Sequence, residues 1–148
     1  MSRRNLQRVT ALLGLVPVTT GLLTMMGVDD PLYAATHLPR DGTLDSNLRF
    51  FGGIWLGLGL CVLWMLPRIE RETALFRALW LMIFLGGIGR VISLIAVGAP
   101  HAPFVALIAL ELIGPPLCVW WQRRVAQTCE GDRIARRGDL LRCARVAR

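Results

Sequence analysis

The sequence predicts an all-α membrane protein, a bundle of four transmembrane helices with both termini in the cytoplasm. Three observations carry that expectation. Of the 148 residues, 54% are hydrophobic, the mean hydropathy is +0.51, and the apolar residues come in long unbroken runs rather than alternating with polar ones. Four of those runs are about 20 residues long, enough to cross the hydrocarbon core of a bilayer. The arginines fall mostly on one side of the runs, which orients them. All 17 basic residues are arginine; GC-rich codon usage accounts for that as well as any function would.

The first span runs from Val9 to Val28 and is closed by Asp29, Asp30 and Pro31. MSRRNLQR followed by an apolar run has the charge order of a secretory signal, but a signal's apolar region is about 7 to 15 residues and ends at a small-x-small site. Here the nearest small residues, around Tyr33 to Ala35, follow two aspartates and a proline, so the segment reads as a retained helix. The second span covers about residues 46–66, with Asp45 as its N-cap and Pro67 as its stop. The third covers about 75–97 and the fourth 103–121, joined by a tight link through Gly98, Pro100 and Pro103. The connections leave no room for a second globular domain. Residues 1–124 thus form the transmembrane domain, and 125–148 an arginine-rich cytoplasmic tail.

Orientation follows from the flanking charge. Arg3, Arg4 and Arg8 precede the first span, Arg68, Arg71 and Arg77 surround the link between the second and third, and eight more follow the fourth. Arg40 and Arg49 lie on the opposite side. Both termini are therefore expected in the cytoplasm, with Trp64, Trp80, Trp120 and Trp121 near that interface, where amphipathic rings anchor.

With the topology set, depth can be counted. Arg90 lies seven residues before Val97, and Glu111 eight after Pro103. At 1.5 Å per residue both lie roughly 11 Å inside the outer boundary, on helices joined by a short link, so they are expected to pair. A charge at that depth is costly and must be satisfied. Pro115 and Pro116 lack amide hydrogens, so the carbonyls of Glu111 and Leu112 lose their helical donors. Gly86, Gly87 and Gly89 allow a helix to approach near Arg90, and Gly53 and Gly57 have the small-xxx-small spacing of helix packing in lipid. Arg49, four residues after Asp45, either pairs with that aspartate at the interface or joins Arg90 around Glu111. The second arrangement would leave surplus positive charge suited to an anionic head group, a small carboxylate or a quinone ring.

LDSNLRFFGGIWLGLGL, FLGGIGRVISL and ALELIGPP, in the second, third and fourth spans, resemble a bacterial family of small four-helix membrane proteins catalogued as domain of unknown function 4345. The resemblance covers about residues 9 to 124. It implies a multi-pass protein of the bacterial inner membrane and no particular activity. A looser similarity, in size and helix number, is to DoxX-like membrane proteins, some of which accompany quinone-linked oxidoreductases.

Other chemistries find little support in the residues. Cys61, Cys118, Cys129 and Cys143 include no CxxC, and isolated cysteines in apolar helices are usually small fillers. His37 and His101 lack ligand spacing, so no metal is expected. No phosphate loop, triad or HExxH pattern occurs. Residues 122–148 carry eight arginines against three acids, a charge suited to anionic lipid at the inner leaflet. Positive-inside arginines account for the pI near 10.9 without nucleic acid, which is not expected as a partner. Two classes of function remain. One is a non-catalytic accessory subunit or small-ligand or lipid binder, paired with a membrane subunit or a second copy, in which Arg90 and Glu111 are structural. The other is a small transporter or proton-coupled carrier in which Glu111 titrates. No built-in cofactor is expected, a quinone or a lipid being the ligands that would suit such a polar cluster, and no nucleophile and base are arranged to make it an enzyme.

Overall fold

The computed structural model describes residues 2–146, with side chains described through residue 128. Cys129, Cys143 and the tail arginines from Arg133 onward lie outside those described side chains. Helix α1 spans Arg3–Thr24, α2 Gly42–Met65, α3 Thr73–Val97 and α4 Ala102–Val146, and among the described residues there is no strand. Short 3-10 turns at Gly27–Asp29, Pro31–Thr36 and Leu66–Arg68 complete the connections. All four helices contain segments long and apolar enough to cross a membrane. The chain folds as two compact units: Gln7–Pro67, and the remainder with the first residues of α1.

The Gln7–Pro67 unit is the α1–α2 hairpin, and its seam is made of glycine. A Cβ on Gly21 would stand 2.6 Å from the Leu56 amide nitrogen, and one on Gly52 would stand 2.7 Å from that of Met25. Seven residues on, a Cβ on Gly59 would meet the Val18 nitrogen at 2.8 Å, and one on Gly14 the Val62 side chain at 2.8 Å. Each helix thus carries a pair of glycines seven residues apart, and backbone meets backbone along the seam. The expected small-xxx-small pair is not the one that forms this seam. Gly53 and Gly57 have open space beside them; they share a face with each other, but it is turned away from α1. Trp55 Nε1 donates to Thr20 Oγ1 across the same hairpin at 2.8 Å.

The start of α2 also differs from the expected one. The N-cap is Asp41, whose carboxylate accepts from the Leu44 amide at 2.9 Å. Asp45 lies within the first turn instead, and its Oδ1 accepts from Val28 N at 3.0 Å. The helix starts one turn early because Asp41 sits in an extended conformation that ends the preceding loop, which is the backbone geometry a cap requires. Gly27 beside it adopts φ +72°, a left-handed conformation that suits glycine.

In the second unit, α3 and α4 form an antiparallel hairpin. Buried positions fall at Phe76, Leu79, Trp80, Ile83 and Gly87 on α3, and at Ile108, Glu111, Pro115, Cys118, Gln122 and Val125 on α4. On α4 the steps alternate between three and four residues, the spacing of coiled-coil seams, and Phe76, Trp80, Ile83 and Gly87 keep the same alternation on α3, with Leu79 beside that stripe. Trp80 therefore belongs to the buried stripe, 3% exposed, rather than to the interfacial anchors expected of it, whereas Trp64 and Trp120 are exposed. At one end of the hairpin Gln122 Nε2 donates to both Ile69 O and Thr73 Oγ1 at 3.0 Å. Arg3 Nε in the first turn of α1 donates to Glu70 Oε2 at 2.9 Å within this unit.

Helix α4 does not stop at Trp121. The residues that follow, Gln122, Arg123, Arg124, Val125 and Ala126, include no breaker, and most are strong helix formers. Pro103 falls in the first turn, where no intrahelical donor is needed. Pro115 and Pro116 lie inside the helix without ending it, as prolines in membrane helices commonly do.

Candidate polar site in the transmembrane helices

Arg90 occupies the α3 seam three residues beyond Gly87, which continues the alternation of steps. Its Nε donates to Glu111 Oε2 at 2.8 Å. The glycine is what admits the carboxylate: a Cβ on Gly87 would stand 3.0 Å from Glu111 Cβ and 3.1 Å from Leu112 Cδ2. Gly86 and Gly89, by contrast, have open space where a Cβ would project, so of the three glycines expected to ease helix approach only Gly87 does so. The Glu111 side chain is 6% exposed and that of Arg90 35%. The guanidinium carbon also lies 5.8 Å from the centre of the Phe104 ring, within the range of a cation–π contact. One turn further along α4, Pro115 is buried and Pro116 exposed, and the carbonyls of Glu111 and Leu112 have no amide donor at the i+4 position.

The hydrogen-bond count separates the two intramembrane arginines. A guanidinium has five N–H donors. Arg49 uses three of its nitrogens: Nε to Asp45 Oδ2 at 2.7 Å, Nη2 to Asp45 Oδ1 at 3.1 Å, and Nη1 to the Met25 carbonyl at 2.9 Å. That fork ties the start of α2 to the end of α1, with a bidentate geometry that only arginine supplies. Arg90 uses Nε alone. Among the described residues, Nη1 and Nη2 of Arg90 have no hydrogen-bond partner.

The arrangement bears directly on the expected cluster of Arg49, Arg90 and Glu111. Each arginine has a carboxylate of its own, Asp45 for Arg49 and Glu111 for Arg90. Arg49 thus takes the first of its two expected arrangements, the pairing with Asp45, and at the Arg90–Glu111 pair the two charges cancel. What remains there is a neutral ion pair with unused N–H donors, next to an aromatic ring.

Sequence reasoning missed the Gln122 clasp. The signal was present: Gln122 lies eleven residues after Glu111, three helical turns along the same face, so polar residues within the span mark one stripe. Among the described residues no group of His, Cys, Asp and Glu could hold a metal ion. Cys61 is exposed and Cys118 buried, and neither is in a disulfide.

No curated protein and no solved structure matches the chain. Residues 5–122 match the family model described as Domain of unknown function (DUF4345), a range that takes in all four apolar segments and both members of the Arg90–Glu111 pair. The chain is a member of the DUF4345 family.

Proposed function

We propose that this is a non-catalytic protein of the bacterial inner membrane, with both termini cytoplasmic, that binds a small ligand or an accessory partner through Arg90. The observation that carries the reading is the half-used guanidinium. Glu111 fixes its position and cancels its charge through Nε, and Nη1 and Nη2 are left to donate to an incoming oxygen. A neutral pair suits a neutral acceptor, such as the carbonyl of a quinone ring, better than it suits a free anion, and the adjacent Phe104 ring suits a planar apolar body. A carrier that cycles protons through Glu111 would have to break the Arg90 bond in each cycle, which disfavours transport.

Native mass spectrometry of the detergent-solubilised protein tests this. The wild type is expected to retain a small molecule, and the double variant Arg90→Met/Glu111→Leu to be folded and empty. A folded double variant that keeps the same molecule would show that the pair is only a staple. The arginine-rich tail is assigned to anionic lipid at the inner leaflet, on its charge alone.

A further inference from the structure

A groove of about 310 Å³ runs between α3 and α4 at the end of the hairpin away from the 98–101 link. One wall is aromatic, from Trp80 and Phe84 on α3; the other is low, from Pro116 and Val119 on α4, with Arg77 and Arg123 at one end. The sequence explains the hollow. The short side chains at Pro116 and Val119 face two large rings, so the walls cannot fill the space between them.

Arg77 and Arg123 are exposed, and among the described residues neither makes an ion pair or a hydrogen bond. In that respect they differ from Arg3, Arg40, Arg49 and Arg90, each of which has a carboxylate. Each lies seven residues from the far end of its own wall, Phe84 or Pro116, about 10 Å along the helix. Two like charges at one end of an apolar trough repel each other until an anion lies between them. The volume holds roughly ten groups of methylene or water size, at about 30 Å³ each.

We propose that this groove holds one anionic phospholipid, its phosphate between Arg77 and Arg123 and one acyl chain along Trp80, Phe84, Pro116 and Val119. Charge complementarity selects the occupant. Arginine forks bind phosphate oxygens bidentately, and the apolar trough continues from the cationic end in the direction that an acyl chain takes from its head group. The site is separate from the Arg90 donors and does not depend on the ligand proposed for them.

The test is a native mass spectrometry titration of the full-length protein with dipalmitoyl phosphatidylglycerol and, separately, dipalmitoyl phosphatidylcholine. At about fivefold per basic residue near a membrane surface, the first phosphatidylglycerol should bind about 30-fold more tightly than phosphatidylcholine. Arg77→Gln/Arg123→Gln should abolish that preference. Both residues are exposed and unpaired, so melting should not change, and lost preference reads as a lost site. Arg71→Gln/Arg124→Gln removes the same charge from outside the groove and should keep the preference. Val119→Phe, which fills the trough, should weaken both lipids together. Preference that survives Arg77→Gln/Arg123→Gln, or that falls equally with Arg71→Gln/Arg124→Gln, would overturn the proposal in favour of diffuse attraction to the basic end of the helices.

Discussion

Replacing Arg90 with methionine takes a guanidinium from 2.8 Å off Glu111 Oε2 and leaves behind a carboxylate whose side chain is only 6% exposed. That carboxylate has little access to water, so the cost should fall in the range for a broken buried pair, about 3 to 5 kcal/mol. The converse change is milder. Glu111→Leu leaves Arg90, 35% exposed, on a long stem that can extend toward the nearer membrane interface. Its cost should lie between the buried range and the 0 to 1 kcal/mol of exposed pairs, at about 2 kcal/mol. Removing both charges leaves two apolar side chains on an apolar seam, which for such pairs is often close to neutral. The four proteins therefore form a cycle with a coupling energy of roughly 5 to 7 kcal/mol and an order: wild type near the double variant, then Glu111→Leu, then Arg90→Met. Unfolding in mixed micelles as the SDS fraction is raised, followed by tryptophan emission, measures all four. A double variant that loses as much as the two single variants combined would refute the pairing energetics. Equal losses in the singles would refute the argument from unequal exposure.

Alanine at Gly21, Gly52 or Gly59 should lower the unfolding midpoint markedly, because a Cβ at each would stand within 2.9 Å of backbone on the opposite helix. Alanine at Gly53 or Gly57, which face open space, should be neutral or slightly stabilising, by up to about 1 kcal/mol from helix propensity; the same SDS titration reads both sets, and the reverse ranking would place the seam on the other face. Gly42→Cys and Arg71→Cys should react with a membrane-impermeant maleimide from opposite sides of intact cells, Gly42→Cys from outside. Labelling of Arg71→Cys from outside would overturn the assignment of both termini to the cytoplasm.

The α3–α4 pairing was legible because charge is rare in lipid-spanning segments, so two ionisable groups at matching depth identify each other. The heptad stripe on which they lie was harder to see. In a bilayer the lipid-facing side of a helix is as apolar as the seam, so Ile83 and Leu85 look alike in sequence although one is buried and the other 56% exposed. In the first hairpin the glycines were visible but were read at the wrong period. Gly53 and Gly57 fit the familiar spacing of four, while the spacing of seven in Gly14–Gly21 and Gly52–Gly59 requires comparing two helices at once. Asp41 and Asp45 illustrate a different limit. Either aspartate can cap a helix, and the backbone conformation at position 41, which no local propensity fixes, decides between them.

The glycine seam works as a ruler. Gly59 fits over Gly14 and Val18, and Gly52 over Gly21 and Met25, so the two close approaches lie seven residues apart on both helices. Sliding α2 along α1 by a single turn would drive side chains against backbone at both points. Sliding by seven residues would keep only one of the two fits. The hairpin consequently has one register in which both fits close, and that register is written into the helices rather than into the segment joining them. Chain length between His37 and Arg40 is thereby released from any part in alignment, and that stretch can lengthen or change composition while the two helices continue to meet at the same four glycines.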